Sequence, residues 1–175
     1  MSLVFLDIDT QLDFVSPAGA LYVPGAELIM PAVARLNRHA AAHGIPLLST
    51  ADAHMENDPE FAAWPPHCVA GTLGQRKPES TMAGQRILTK QSTDCFTIPG
   101  LRALLEEIGG EGYAVYGVVT EICVRHAALG LLKTGRPVHL VTDAVKDLGA
   151  EASGRFLAEF TALGGQLITC ASLGA

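Results

Sequence analysis

The stretch VYGVVTEICVRHAALGLLKTG, residues 115–135, passes from a β-branched apolar run into a segment whose apolar residues recur with helical spacing. The first half predicts a strand buried on both faces, as in a parallel sheet, and the second half predicts a helix that Gly135 ends. Cys123 lies in the first turn of that helix. The stretch therefore predicts an α/β unit that carries a thiol just past the carboxyl end of a buried strand.

Outside this stretch, short apolar runs alternate with segments of helical spacing. The predicted strands are residues 3–8, 45–50, 86–90, 112–119, a run within 136–145, and 166–169. The predicted helices are residues 26–43, 99–108, 121–134 and 150–163. This alternation indicates an α/β fold, a three-layer α/β/α arrangement around a central parallel sheet of about six strands, in one domain over residues 1–175.

The composition narrows the class of protein. Apolar residues make up 49% of the chain and charged residues only 17%, so we expect part of the surface to be buried in a homo-oligomer. The net charge is −6 and no basic run occurs, which argues against a nucleic-acid partner. No apolar run approaches the ~20 residues of a membrane span. Acidic residues interrupt the opening MSLVFLDIDT, so we expect a cytoplasmic protein with four free cysteines.

Polar side chains follow the predicted strands, where the carboxyl ends of parallel strands meet at one edge of the sheet. In chain order they are Asp7, Asp9, Gln11 and Asp13, then Asp52 and His54, then Lys90, then Cys123, and then Asp143. We therefore expect carboxylates, an imidazole, an amine and a thiol to converge at this edge.

Cys123 is the candidate nucleophile among these groups. The start of a helix and the amine of Lys90 would both favour a thiolate, and Asp9 could take the thiol proton. A structural interpretation stays open for each residue: Cys123 as a small core thiol, Lys90 as a solvated strand end and Asp9 as a turn residue. His126 follows three residues later, and we expect it to pack within the fold instead.

Residues 53–85 form a long segment with four prolines and little periodicity, which is typical of a functional loop. This segment contains Trp64 and His67. Asp52 and His54, at its start, have D-x-H spacing, which places both side chains on one side of an extended chain. Two imidazoles and one carboxylate, with coordination positions left open, are ligands that suit a catalytic divalent metal.

Several segments resemble those of the isochorismatase-like cysteine hydrolases, and their nicotinamidase branch in particular. The resemblance rests on FLDIDTQLDFVSPAGALYVPGA (residues 5–26), DAH (52–54), WPPHCVAGT (64–72), TK (89–90) and VVTEICVRHAALG (118–130). These segments run through most of the chain in the family's order. The resemblance implies a catalytic triad of Cys123, Asp9 and Lys90. It also implies a cis peptide bond between Val118 and Val119, which helps to shape an oxyanion hole with the amide of Cys123.

The resemblance further implies one divalent metal ion, with zinc favoured over manganese or iron, bound by Asp52, His54 and His67. Family members supply another ligand, often histidine, shortly after the D-x-H pair, and this chain has none between His54 and His67. The segment MENDPEF offers carboxylates there, at Glu56, Asp58 and Glu60. Glu60 has the closest spacing and is our choice of ligand.

Phe14 and Trp64 stand where nicotinamidases place the rings that sandwich a pyridine. The implied activity is hydrolysis of a small carboxamide, nicotinamide to nicotinate and ammonia, through a thioester on Cys123. One alternative is a metal-free amidase or an isochorismatase-type hydrolase on the same fold. The D-x-H pair and WPPHC argue against a metal-free amidase, and Cys123 argues against an isochorismatase. A ligand-binding protein without turnover is another alternative, which the intact triad disfavours.

Overall fold

Six strands form the central sheet in a computed structural model that describes residues 2–175. In chain order they are β1 Leu3–Ile8, β2 Leu47–Asp52, β3 Arg86–Lys90, β4 Gly112–Val118, β5 Val138–Lys146 and β6 Gln166–Ile168. The order across the sheet is β3-β2-β1-β4-β5-β6, and every neighbouring pair is parallel. The chain therefore winds outward in one direction from β1 and in the other from β4. Ligands in such sheets bind beyond the carboxyl ends of the two strands where the winding reverses.

Helices cover both faces of the sheet. They are α1 Leu12–Val15, α2 Met30–His43, α3 Leu101–Ile108, α4 Arg125–Leu132 and α5 Ala150–Ala162. One hydrophobic core joins the sheet to α3, α4 and α5, and a second core joins its other face to α1 and α2. The prediction of a three-layer fold with a six-stranded parallel sheet is confirmed.

Strand β1 shows why the sheet is buried on both sides. Val4, Leu6 and Ile8 belong to the core on the side of α3–α5, whereas Phe5 belongs to the core on the side of α2. Successive side chains of a strand point to opposite faces, so a continuous apolar run fills two cores at once. This is the pattern that predicted a parallel sheet.

Some boundaries differ from the predictions. The strand predicted at 45–50 is Leu47–Asp52, because it pairs along its length with β3 and ends with Asp52 opposite Lys90. The helix predicted at 26–43 begins as a 3-10 turn, Ala26–Ile29, before α2. The helix predicted at 121–134 begins as a π-helical turn, Thr120–Val124, before α4.

The ends of β1 and β4 approach each other unusually closely at Gly117. This residue has φ +119°, a region that favours glycine, and a Cβ atom there would overlap the carbonyl oxygen of Ile8. The pairing of β4 with β5 is also irregular between Val115 and Gly117, which is typical of a β-bulge. The chain segments that follow β1 and β4 therefore begin side by side.

The long loop predicted at 53–85 is packed against the sheet. His54 and Val69 form an isolated parallel bridge, and the buried ammonium of Lys77 lies 3.2 Å from Oδ2 of Asp7 in β1. Two 3-10 turns, Pro59–Ala62 and Glu79–Thr81, give the loop local structure. Across residues 2–175, no helix has both the length and the apolar character that a membrane crossing requires.

Candidate active site

The structure brings Cys123, Lys90 and Asp9 together beyond the carboxyl ends of β4, β3 and β1. Nζ of Lys90 lies 3.9 Å from Sγ of Cys123 and 2.7 Å from Oδ2 of Asp9. The same ammonium also forms a short ion pair with Asp52 at the end of β2. All four side chains are buried, so one lysine stands among two carboxylates and a thiol that are shielded from water.

The backbone at Asp9 departs from the strand. Its φ is +49°, an uncommon value for a residue other than glycine, although aspartate adopts it more readily than most. Its N–H donates to the carbonyl oxygen of Thr50 (3.2 Å), and Oγ1 of Thr50 donates to Oδ1 of Asp9 (2.6 Å). Thr50, to which the sequence analysis assigned no role, therefore fixes the orientation of this carboxylate.

Burial and charge set the protonation of the three groups. Burial raises the pKa of the Cys123 thiol well above its ordinary value, and the charge of Lys90 offsets this only in part. Burial lowers the pKa of Lys90, but its interactions with Asp9, Cys123 and Asp52 outweigh this effect, so the net shift is well upward. Lys90 thus favours the thiolate, while burial opposes it more strongly. The thiol needs a base.

The two carboxylates beside Lys90 differ in their protonation. Burial raises the pKa of Asp9 above its ordinary value, and Lys90 offsets only part of that rise. Burial also acts to raise the pKa of Asp52, but its interactions with His54 and Lys90 outweigh it and bring the pKa below the ordinary value. Carboxylates whose environments separate their pKa values suit different roles. Asp52 suits a permanently ionised ligand, whereas Asp9 suits a group that gains and loses a proton.

Three buried donors cluster next to this trio. One ligand atom from each lies within 4.8 Å of the others, and the three residues are Asp52, His54 and His67. The ring centroids of the two histidines are 4.8 Å apart. Nε2 of His54 is buried without a hydrogen-bond partner among the described residues and lies 3.8 Å from Oδ2 of Asp52. An orphaned imidazole nitrogen beside a second imidazole and an ionised carboxylate fits a divalent metal ion of the zinc type.

The other ring nitrogens of both histidines are held by neighbours. Nδ1 of His54 lies 3.0 Å from Oδ2 of Asp58, and Nδ1 of His67 lies 2.8 Å from the carbonyl oxygen of Pro65. With a proton on each Nδ1, both rings present Nε2 as a ligand, which is the usual arrangement in metal sites. The interaction with Asp52, together with Asp58, raises the pKa of His54 to about 9, so a proton and a metal ion would compete for this ring.

Glu60, the fourth candidate ligand, lies outside the cluster of Asp52, His54 and His67. Glu60 forms a second possible donor group with His54 and Asp58, again within 4.8 Å, but it is not part of the group that contains Asp52 and His67. Asp58 accepts the backbone N–H of Glu60 at 2.9 Å. Asp58 thus orients both the imidazole of His54 and the backbone at Glu60, while Glu56 is exposed. The spacing that favoured Glu60 gave no sign of this orienting role.

A pocket of about 440 Å³, including its open mouth, lies in front of Cys123. Phe14 and Trp64, the two predicted ring contacts, both line it. The sequence analysis did not identify several further lining residues, which are Leu21, Val23, Thr93, Ile122 and Leu148. Apolar walls beside a few polar groups are typical of a site for a small organic ligand.

The peptide bond between Val118 and Val119 is cis, where the resemblance implies one, and both valines line the pocket. The carbonyl oxygen of Val119 accepts the N–H groups of Ile122 (3.0 Å) and Val124 (3.1 Å), which closes the wide turn around Cys123. His126 lies beyond this turn, in α4, and does not line the pocket.

Gln11 is another residue that the sequence analysis noted without assigning a role. Its side chain accepts the N–H of Asp52 (2.7 Å) and donates to the carbonyl oxygens of Asp52 (2.8 Å) and Gln75 (2.7 Å). This buried amide therefore clamps the backbone of a candidate metal ligand and joins it to the long loop. The sequence signal for this role is the position of Gln11 in the D-T-Q segment that follows β1. A glutamine in such a position does not reveal which backbone groups it will bind.

Comparisons with known proteins agree with this fold. The family model described as the isochorismatase domain matches residues 3–172. A pyrazinamidase of Pyrococcus horikoshii, solved in complex with zinc, superposes with a TM-score of 0.87 at 32% identity over 97% of this chain and 99% of that one. PnC1 from L. infantum, in complex with nicotinate, gives 0.88 at 26% identity over 97% and 93%.

Among curated proteins, the nicotinamidase/pyrazinamidase of Mycobacterium tuberculosis is 26% identical over 184 residues, which cover 94% of this chain and 97% of that protein. The resemblance noted in the sequence is thereby confirmed. A family match over nearly the whole chain, relatives of nearly equal length and the same fold lead to one conclusion. The chain belongs to the isochorismatase family.

Proposed function

We propose that this protein is a cysteine amidohydrolase that cleaves the small carboxamide nicotinamide to nicotinate and ammonia. The observation that carries the proposal is the convergence of a buried thiol, carboxylate and ammonium at Cys123, Asp9 and Lys90, of which Cys123 and Asp9 line the pocket. The relatives named for nicotinamidase and pyrazinamidase activity support it, as does the nicotinate in a structural neighbour.

In the proposed reaction, Asp9 starts as the base. It takes the proton from the Cys123 thiol as the sulfur attacks the amide carbon, which forms the C–S bond and an oxyanion. Asp9 then gives the proton to the amide nitrogen, and the C–N bond breaks to release ammonia and leave a thioester. Water attacks the thioester with Asp9 again as base, the C–S bond breaks, and the sulfur recovers its proton. The products are the carboxylate and a free thiol.

Lys90 remains protonated throughout this cycle, because its pKa is well above the ordinary value. Its charge lowers the cost of forming a thiolate in a site where burial opposes one. For the oxyanion we propose the backbone N–H groups of the turn near Val119 and Cys123, since donors fixed in a buried turn need little reorganisation as charge develops. Phe14 and Trp64 would hold the ring of the substrate.

For the metal we propose Asp52, His54 and His67 as ligands, with Glu60 as the further candidate. Zinc is our choice, and the zinc complex of the Pyrococcus horikoshii relative supports it. When bound, a divalent ion would supply a Lewis-acidic centre with open positions for a donor atom of the substrate.

The charges that line the pocket favour an uncharged amide over the anionic substrate of an isochorismatase. Asp9, Asp52 and Glu60 all line it, and among the described lining residues none is lysine or arginine. Lys90 lies close by but is already paired with Asp9 and Asp52, so a substrate that carries carboxylates would find no unpaired lysine or arginine in this lining. This lining supports the amidase proposal over the isochorismatase alternative.

The test is ammonia and nicotinate release by the purified protein after chelation, with and without added zinc, manganese or iron(II). We expect turnover of nicotinamide, stimulation by one of the metals, and no turnover of isochorismate. Cys123→Ala should abolish release while the far-UV circular dichroism spectrum stays unchanged. Substantial turnover by that variant would refute the role of Cys123. Tight binding of nicotinamide by the wild-type protein without product would favour a binding protein instead.

Two further expectations belong to this proposal. We propose action in the cytoplasm, which the four free cysteines support. We also propose a homo-oligomer, supported by the low charge and by large apolar side chains exposed in the single chain, such as Leu28 at 77% and Leu73 at 69%. Sedimentation velocity at several concentrations tests the second, and a monomer at all of them would contradict it.

A further inference from the structure

One wall of the pocket has no part in the proposed chemistry. Leu148 lies in the connection between β5, which ends at Lys146, and α5, which begins at Ala150. It lines the pocket, yet 45% of its surface is exposed, so it stands where the pocket opens to solvent. A single exposed leucine is ordinary on a protein surface. What distinguishes this one is how its backbone is held.

Glu121 fixes the backbone at Leu148. Its Oε1 atom accepts the N–H of Leu148 at 3.0 Å and the N–H of Gly149 at 2.9 Å. Gly149 is the N-cap of α5 and has no side chain of its own to cap the helix. The carboxylate thus stands at a helix N-terminus, where negative charge is stabilising. Two hydrogen bonds to a charged acceptor hold this short connection in one conformation.

The same glutamate belongs to the turn of the proposed nucleophile. Glu121 lies two residues before Cys123 in the π-helical turn Thr120–Val124. The next turn of helix adds a second link to α5, because Nε of Arg125 lies 3.0 Å from Oε2 of Glu159. The position of Leu148 is therefore set relative to the sulfur, through a side chain from the sulfur's own turn.

We propose that Leu148 determines substrate specificity by limiting the size of the ring that can lie before Cys123, and that Glu121 is the positioning residue that holds it. The inference rests on the proposed function for its choice of substrates. It assigns to the protein a preference for monocyclic aromatic carboxamides over bicyclic ones. Truncating Leu148 removes the wall, whereas truncating Glu121 leaves the wall present but free to move.

The first experiment compares kcat/KM for nicotinamide with that for quinoline-3-carboxamide, which adds a fused ring. We expect Leu148→Ala to raise the bicyclic-to-monocyclic ratio about tenfold or more, the scale on which apolar pockets discriminate size. Glu121→Ala should raise it by a smaller factor. Glu121→Gln should restore the wild-type ratio, because its amide oxygen can accept both N–H groups. Leu163→Ala, at an exposed leucine of the other end of α5, is the matched control and should leave the ratio unchanged.

The second experiment needs no turnover. Iodoacetamide and the bulkier 2-iodo-N-phenylacetamide alkylate a thiol in the same way: a C–S bond forms, iodide leaves and the thiol proton passes to buffer. Mass spectrometry gives the rate at Cys123 separately from the rates at the other three cysteines, which do not line the pocket. We expect Leu148→Ala to raise the relative rate of the bulky reagent. An unchanged relative rate overturns the inference, as does an unchanged kinetic ratio. If nicotinamide is not hydrolysed, the proposed function fails and the alkylation rates still decide whether Leu148 is the wall.

Discussion

Two aspartates at the end of β1, Asp7 and Asp9, each face a buried lysine, but only one of them is saturated with partners. Asp7 pairs with Lys77 at 3.2 Å. Its remaining hydrogen bonds, at 2.6–3.2 Å, come from Thr10, Ser49 and Asn37. These four partners occupy the Asp7 carboxylate, and we call this set the closed network. It joins β1 to α2 and to the long loop.

Asp9 has fewer fixed partners. It pairs with Lys90 at 2.7 Å and accepts a hydrogen bond from Thr50, and its carboxylate lines the pocket next to Cys123. The difference teaches that a buried ion pair is not by itself a sign of function. A saturated pair holds segments together, whereas a pair with unused capacity beside a cavity can exchange protons.

The largest effect we expect follows from breaking the pair between Asp9 and Lys90. Asp9→Asn keeps the shape of the side chain but removes the base, so kcat should fall about 1,000-fold, within the range for a lost general acid–base group. The free energy of unfolding, measured in urea, should not decrease. Stopped-flow or coupled ammonia assays measure the first quantity. A variant that is unstable yet active when folded would reverse the contrast with Asp7.

The matched change in the closed network is Asp7→Asn. It leaves the ammonium of Lys77 buried without its counter-charge, so the free energy of unfolding should fall by about 3 kcal/mol. Turnover per folded molecule should stay within a few-fold of wild type. Lys77→Met is the companion variant and should cost less, because Asp7 keeps its three neutral donors. Equal losses of activity in Asp7→Asn and Asp9→Asn would mean that both carboxylates serve the chemistry.

A third carboxylate, that of Asp58, lies next to the candidate metal ligands. Asp58 touches His54 as an orienting group, so Asp58→Asn should weaken zinc binding about 10–100-fold. Glu56→Gln, two residues earlier and exposed, is the control and should bind zinc as wild type does. Competition with a chromophoric chelator measures both affinities without reference to turnover. Equal affinities for the two variants would remove Asp58 from the site.

The smallest effect is a dependence on pH. The folded state raises the pKa of Asp9 above its ordinary value of 3.8, so it binds the proton more tightly than the unfolded chain does. Ionised Asp9 therefore opposes folding, and its contribution to stability is lost as the pH rises through the raised pKa. In chelator, Asp9→Asn should be more stable than wild type at neutral pH, and the gap should narrow as the pH falls. Urea titrations across pH measure the gap, and a gap that widens in acid would contradict the sign.

Much of the fold could be predicted because parallel strands leave a strong signal. The run at residues 3–8 is apolar throughout, and β1 has those bounds in the structure. The sequence predicts the end of β2 two residues early, because Asp52 resembles a residue that follows a strand when its partner Lys90 is unknown. The sequence predicts ordinary helix where the structure has the π-helical turn Thr120–Val124, since apolar spacing does not register one extra residue in a turn.

The candidate site was predictable in its charged and sulfur-bearing residues and not in its supports. Asp9 and Cys123 follow strands and Lys90 ends one, and the rule for parallel sheets brings such residues to one edge. The supports depend on contacts between distant segments, as when Gln11 clamps the backbone of Asp52 or Glu121 holds Leu148. A side chain of ordinary type in a loop gives no sign of which backbone amide it will meet.

The close approach at Gly117 limits how this protein can change. Alanine differs from glycine by one methyl group, yet that group has no room beside Ile8 and the backbone there has positive φ. A library of random variants selected for activity should therefore keep glycine at this codon while neighbouring codons drift. Efforts to redesign the pocket for other amides are better directed at its outer rim than at the seam where the two central strands meet.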